Sequence, residues 1–211
     1  MNQAGYQPRL KDIITAVESH VPRELPERLR LRLMPSAVVI PLYERDGEVY
    51  VMLTERTETV SHHKGQISFP GGRRDPEDRD LAVTALREFE EEMGLPRRLL
   101  RLAGRLDEQA VISNDRIAPF LGVLEWPFET AHNGNEIARV LHLRLSDFLR
   151  PELHRLTRNE FEGRIWPIHY FDIDGHTVWG ATGRIMADLL NIAFDYRPPE
   201  YEKFLAENGR F

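Results

Sequence analysis

The sequence predicts an α/β sandwich or an α+β domain, and three observations carry that prediction. Apolar runs of strand length recur along much of the chain, one helical stretch keeps an unbroken period, and helical patterns stand at the start and near the end. A length of 211 residues suits one domain, with or without terminal additions, and allows a core without covalent staples. Periodicity by itself does not choose between the two architectures.

Residues 8–20 form the first predicted helix, because Leu10, Ile13, Ile14 and Val17 recur at helical spacing. A segment containing Pro22 and Pro26 follows. Residues 37–43 and 48–54 read as two strands, joined by 44–47, whose Arg45-Asp46-Gly47 is a hairpin signal. Residues 66–69 are short and β-like, and Pro70-Gly71-Gly72 ends them. The strongest helix spans 79–93. Leu81, Ala85, Phe89 and Met93 recur every four residues, with Ala82 and Leu86 beside them. Asp75, Glu77, Asp78 and Asp80 crowd its start, where the helix dipole favours negative charge, and Gly94 stands at the position of a C-terminal cap. Further strands are predicted at 102–106, 117–124, 138–143 and 165–173, a helix at 181–194 and a short one at 199–207.

Composition narrows the function. No cysteine is present, which excludes disulfides, thiolate metal sites and a cysteine nucleophile. Thirty-four acidic against 28 basic residues give a formal charge of −6, a poor balance for non-specific nucleic-acid binding. No apolar run reaches the ~20 residues that span a bilayer, and the N-terminus lacks a signal-peptide core. The expectation is a cytoplasmic protein that engages neither nucleic acid nor membrane.

The segment that carries chemistry is Gly71-Gly72 followed by Arg87 through Leu95. At about 100° per residue, Glu88, Glu91 and Glu92 fall within one arc beside the apolar stripe of Leu86, Phe89 and Met93. Three carboxylates on a rigid helix repel one another unless a cation sits among them, and Mg²⁺ prefers such oxygen donors. An E-x-x-E-E helix alone more often reads as a solvated acidic face. Two neighbours favour the metal: a glycine pair that lets a carbonyl turn inward, and Arg87, placed to orient a carboxylate through a charge-assisted hydrogen bond.

These residues resemble the Nudix box. Arg87–Leu95 matches its R-E-U-x-E-E-x-G-U portion at every defined position. Gly72 stands fifteen residues before Arg87, one more than the usual spacing, and Asp78 occupies the place of the upstream glutamate. That extension, with Phe69-Pro70-Gly71-Gly72, is similar to the coenzyme A pyrophosphatase branch. The branch signature before the box is also in register at Leu53-Thr54-Glu55-Arg56 and Gly65. It departs at Met52, Thr57 and Ser61. Ser61 replaces an arginine and cannot supply that residue's charge or bidentate fork, a loss that His63, Lys64 or Arg73 could offset. Val178-Trp179-Gly180-Ala181-Thr182 adds a weaker likeness.

The resemblance implies a Nudix-type α/β/α sandwich with a mixed β-sheet and the box helix. Residues 1–34 are then a helical extension packed on the domain, 35–195 the domain, and 196–211 a tail or short helix. The first helix caps the fold or builds a homodimer contact. The implied reaction is Mg²⁺- or Mn²⁺-dependent hydrolysis of the pyrophosphate bond of coenzyme A or its derivatives, giving 3′,5′-ADP and a phosphopantetheine. The implied alternatives are a pyrophosphatase for ADP-ribose, NADH or a dinucleotide, and a nucleotide-sensing module without turnover. Carried over by position, Glu88, Glu91, Glu92 and a carbonyl at Gly72 hold metal. Glu91, Glu92 and Arg87 are the catalytic candidates, joined by Glu136 as a general base from a later loop; Glu108 and Asp115 are lesser ones. Arg56, His63 and Gly71 are the substrate-side candidates. Trp179 is expected in the core rather than as a base-stacking platform, and Gly163 serves a turn.

Overall fold

The computed structural model describes residues 7–57, 65–132, 134–161 and 164–208. Helix α1 (Leu10–Ser19) and the short α2 (Glu27–Arg30) precede strands β1 (Met34–Arg45), β2 (Glu48–Arg56), β3 (Ile67–Ser68) and β4 (Gly71–Arg73). Helix α3 (Leu81–Met93) follows, then β5 (Leu100–Arg105), β6 (Gln109–Ala110), β7 (Asp115–Leu124), β8 (Ile137–Arg144) and α4 (Leu145–Phe148). The chain continues as β9 (His154–Phe161), β10 (Arg164–Ile173), β11 (His176–Trp179), α5 (Gly180–Phe194) and α6 (Pro199–Asn208).

Among the described residues, β1 to β8 form one mixed sheet. Its spine is β1, parallel to β7 from Met34↔Asp115 to Leu42↔Val123. On its other edge β1 meets β4 first (Val38↔Gly71) and β2 later, through Arg45↔Glu48. The predicted hairpin is present, and both turn residues have positive φ, Asp46 at 54° and Gly47 at 78°, as a tight right-twisted hairpin requires. The last three strands form a separate antiparallel sheet ordered β11-β10-β9.

Alternation along β1 sends side chains to two cores. Ala37, Val39 and Tyr43 pack with Ala85, Phe89 and Met93 of α3 on one face. Ile40 and Leu42 pack on the other face with Ile13 and Val17 of α1 and with Ile185, Met186, Leu189 and Leu190 of α5. Helices therefore cover both faces of a mixed sheet, which is the α/β/α sandwich. Each fully buried Phe or Leu contributes about 1.5–3 kcal/mol by leaving water. The apolar face of α1 is spent on the core, so its inward residues are not available to a partner.

Helix α3 runs as its sequence dictates. Asp80 caps it by accepting a hydrogen bond from the Val83 amide at 2.9 Å, and Gly94 ends it at φ 64°. The strands predicted from 102, 117, 138 and 165 begin one or two residues earlier, and the pair at 37–43 and 48–54 extends at both or one end to Met34–Arg45 and Glu48–Arg56. No helix among the described residues is long and apolar enough to cross a membrane. A cavity of about 310 Å³ lies between α1 and α5, lined by His20, Arg23, Asp107, Asp188 and Asn191, on the sheet face opposite α3.

Candidate active site

The site is built where β4 crosses the start of β1 and meets α3. Gly71 and Gly72 form most of β4, and their missing side chains are what allow the approach. A Cβ at Gly71 would lie 2.3 Å from the Ala37 carbonyl oxygen and 2.6 Å from the Val38 Cα, so any side chain there would strike the backbone of β1. A Cβ at Gly72 would lie 2.4 Å from Glu88 Oε1. The Glu88 carboxylate thus rests directly on the Gly72 backbone.

The three glutamates of α3 sit in graded environments. Glu92 is buried at 8% exposure, and its Oε2 accepts a hydrogen bond from the Gly71 amide at 3.3 Å. Burial, with the Glu88 charge adding to it, raises the Glu92 carboxyl to about 8. Glu88 is also pushed up by burial, against the pull of Arg87. Glu91 is exposed.

Arg87 binds this helix to the loop before it. Its Nη1 donates to Glu88 Oε1 at 2.8 Å and to Glu91 Oε2 at 3.2 Å. Its Nη2 donates to Asp78 Oδ2 and to the Arg73 carbonyl, both at 3.0 Å. Asp78 is buried and also accepts from Thr84 Oγ1 at 2.9 Å and from the Asp75 amide at 3.1 Å. The Arg87 hydrogen bonds bring the Asp78 carboxyl down to about 2. The residue at the upstream-glutamate position therefore anchors Arg87, a role that spacing alone did not reveal. Its only sequence signal was an acid offered to an arginine nine positions later.

Glu136 stands immediately before β8, and its Oε2 lies 3.8 Å from Nη2 of Arg56 at the end of β2. Both residues act electrostatically on Glu92, Arg56 lowering its carboxyl and Glu136 raising it. The fold thus groups Arg56, Gly71, Gly72, Arg87, Glu88, Glu91, Glu92 and Glu136 around one end of α3. The Arg56 Nε is buried with no hydrogen-bond partner among the described residues.

Other candidates go elsewhere. Asp115 is held by Arg73 Nε at 2.7 Å and by Ser113 Oγ at 2.7 Å. Arg73 is accordingly committed to Asp115 rather than free to replace the missing arginine. Glu108 pairs with Arg116 at 2.8 Å and accepts from the Leu25 amide at 3.0 Å, so it fastens the segment after α1. Trp179 is not a core residue: it is 41% exposed and stacks on Tyr170, because it projects from the outward face of the three-stranded sheet. Ser61, His63, Lys64 and Gly163 lie outside the described residues.

As they stand, no three Asp, Glu or His side chains among the described residues converge closely enough to enclose an ion. Glu88 and Glu91 turn to Arg87 instead. The donor set nevertheless fits a hard divalent cation. It is all oxygen, and it includes the buried Glu92 carboxylate, which among the described residues accepts a hydrogen bond from the Gly71 amide. Burying such a charge without compensation is costly, and a cation between Glu92 and Glu88 would remove both the burial penalty and their repulsion.

The NUDIX domain profile matches residues 32–166. The chain is 33% identical over 181 residues to Nudix hydrolase 22, chloroplastic, of Arabidopsis thaliana, covering 82% of this chain and 59% of that protein. It is 32% identical over 136 residues to peroxisomal coenzyme A diphosphatase NUDT7 of Mus musculus, covering 64% of this chain and 58% of that protein. The chain therefore spans about six tenths of the length of these curated relatives. A crystal structure of a C. elegans Ap4A hydrolase binary complex aligns at a TM-score of 0.47 and 18% identity, covering 56% of this chain and 85% of that one.

Proposed function

The chain belongs to the Nudix family, and from that premise we propose that it hydrolyses the pyrophosphate bond of a nucleoside diphosphate derivative, with coenzyme A or an acyl form as its substrate. The observation that carries the proposal is the sequestered carboxylate of Glu92, held by the Gly71 amide beside Glu88. Nudix hydrolases use divalent metal ions. Here Glu88, Glu91 and Glu92 would hold Mg²⁺ or Mn²⁺, with a Gly72 carbonyl as a further donor. When bound, such an ion offsets charge developing on phosphoryl oxygens and acidifies a coordinated water.

The chain's own residues do the positioning. Arg87 fixes the loop through Asp78 and the Arg73 carbonyl, so the glycine turn and the acidic helix keep one relative placement. The Gly71 amide donates to Glu92 Oε2 and so ties that carboxylate to the glycine turn. Arg56, whose buried Nε has no hydrogen-bond partner among the described residues, is suited to a phosphate oxygen. Glu136, 3.8 Å from Arg56, would take a proton from an attacking water, and binding of a phosphate to Arg56 would release it for that role. No nucleophilic side chain is required.

Coenzyme A is favoured by Phe69-Pro70-Gly71-Gly72 and by the similarity to the mouse coenzyme A diphosphatase. Ser61, where that branch carries arginine, favours ADP-ribose or NADH as the second reading. The cytoplasm is the proposed compartment. The deciding experiment incubates the protein with Mg²⁺ or Mn²⁺ and separately with coenzyme A, ADP-ribose, NADH and diadenosine polyphosphates, and separates the products chromatographically. Release of 3′,5′-ADP in preference to the other products supports the coenzyme A reading. Preferential cleavage of ADP-ribose or NADH replaces it with the second.

A further inference from the structure

Strand β2 ends in a register shift at the candidate site. Its pairing with β8 runs from Tyr50↔Arg144 to Glu55↔Arg139, and the next pair is Arg56↔Ile137. Ala138 is therefore an extra residue on β8, a bulge opposite the step from Glu55 to Arg56. A bulge bends its strand, re-aims the side chains beside it and disrupts the ladder locally. Two residues from Glu136, it leaves the aim of that carboxylate to whatever fastens the chain on either side.

Both sides are fastened. Before the shift, Arg139 grips Glu55, Nε donating to Oε2 at 2.7 Å and Nη2 to Oε1 at 3.2 Å. After it, Thr57 bonds to two consecutive carbonyls of the facing chain. Its amide donates to the Glu136 carbonyl at 2.9 Å, and its hydroxyl donates to the Asn135 carbonyl at 3.1 Å. The amide of Arg56, between Glu55 and Thr57, donates instead to the Gln66 carbonyl just before β3, at 3.1 Å.

Thr57 is one of the three positions at which the chain departs from the signature it resembles before the box. It is half-buried and directly follows Arg56, whose Nη2 lies 3.8 Å from Glu136 Oε2. Branching at Cβ restricts the χ1 of threonine, so its hydroxyl has few rotamers to lose when it bonds. The bond to the Asn135 carbonyl depends on that hydroxyl, whereas the bond to the Glu136 carbonyl needs only a main-chain amide. The side chain at 57 thus controls one of the two ties that set where the 135–136 backbone lies.

We infer that Thr57 is a positioning residue for Glu136: its hydroxyl ties the Asn135 carbonyl to the end of β2, and this clamp keeps the Glu136 carboxylate beside Arg56. The inference deepens the proposed function and rests on it for what Glu136 does. Thr57 contributes geometry alone. A general base works only within hydrogen-bond reach of the proton it takes, and a misplacement of about 1 Å costs roughly 100-fold. Removing the hydroxyl breaks one tie of two, so a loss of about tenfold is expected. Arg56 keeps its amide bond to Gln66, so substrate affinity should not follow the loss in rate.

The test compares the full chain with Thr57→Val, which keeps the shape and removes the hydroxyl, and with Thr57→Ser, which keeps the hydroxyl. With Mg²⁺ and coenzyme A, and in parallel ADP-ribose, Thr57→Val is expected to lower kcat about tenfold with KM within about twofold, and Thr57→Ser to stay within about twofold of the wild type. Glu136→Gln is expected to lower kcat roughly 100-fold or more, and in that background Thr57→Val should cost no more than about twofold further. Backbone hydrogen exchange over 134–137, read without substrate, should be faster in Thr57→Val than in the wild type or Thr57→Ser. Where Glu136→Gln lowers kcat, the inference is overturned if Thr57→Val keeps wild-type kcat, if Thr57→Ser loses as much as Thr57→Val, or if the full tenfold loss recurs in the Glu136→Gln background. Should Glu136→Gln keep wild-type kcat, or the wild type turn over neither compound, the reading of Glu136 as general base falls and exchange alone decides. Faster exchange in Thr57→Val then supports the clamp, and unchanged exchange overturns it.

Discussion

Replacing Gly72 with alanine separates chemistry from stability at this site. The added methyl would lie 2.4 Å from Glu88 Oε1, whereas ordinary contact begins near 3.4 Å, so the carboxylate must retreat by about 1 Å. Glu88 is a flexible side chain, and Gly72 has no positive φ to strain. The fold should therefore lose no more than about 0.5–1 kcal/mol, while a carboxylate displaced by about 1 Å should lower kcat by roughly 100-fold. Gly71→Ala is the control. Its methyl would meet the β1 backbone at 2.3 Å, which cannot yield, so a destabilisation of about 1–3 kcal/mol or more is expected. Urea denaturation gives the two stabilities, and initial rates at saturating Mg²⁺ give the activities. Near-normal kcat for Gly72→Ala would refute the reasoning, as would a stability loss equal to that of Gly71→Ala.

Two further predictions concern pH and stability. The Asp78 carboxyl is lowered from its ordinary value to about 2, chiefly by Arg87, so its ionised form stabilises the fold by about 2 kcal/mol above pH 4. That contribution should be lost as pH falls from about 4 through 2, and Arg87→Met should both flatten this acid limb and cost about 3–5 kcal/mol at pH 7; denaturation midpoints across pH 2–7 measure it. His154 and His169 form a buried pair, Nε2 to Nδ1 at 2.9 Å, with His154 also bonded to the Tyr196 hydroxyl at 3.2 Å. Burial lowers them to about 4 and about 3, so the unfolded chain takes up protons first. Stability should be complete above pH ~6.5 and fall with pH below it, by about 3–4 kcal/mol at pH 5. A double His154→Gln, His169→Gln variant should show a smaller loss between pH 7.5 and 5.

Helix α3 was legible because propensity, period and caps agree there, and its place on one face of the sheet follows from its single apolar stripe. The acidic residues were legible because they share that helix. What α3 binds was not. The Arg56–Glu136 pairing joins residues eighty positions apart, and the parallel pairing of β1 with β7 joins positions as distant. Strand β9, HRLTRNEF, was missed because its charges obscure the alternation, and β4 and β6 are too short to show any period, whereas β3 falls inside the β-like stretch at 66–69. Trp179 was misplaced in the core for a related reason. Hydropathy marks an aromatic as inward, but its position opposite Tyr170, on the face away from His169 and Phe171, depends on the register of a sheet that sequence did not reveal. Asp115 and Glu108 looked available because their arginine partners could not be seen.

Replacing Glu92 with glutamine tests the central claim most directly, since it keeps the shape of the side chain and removes the charge. Manganese titration followed by electron paramagnetic resonance, paired with initial rates on the preferred substrate, should show Mn²⁺ affinity reduced at least tenfold and kcat reduced at least 100-fold. The metal-free urea midpoint at pH 7 should change little, because a carboxyl raised to about 8 is already largely protonated there. A Glu92→Gln protein that binds Mn²⁺ and turns over as the wild type does would contradict the account.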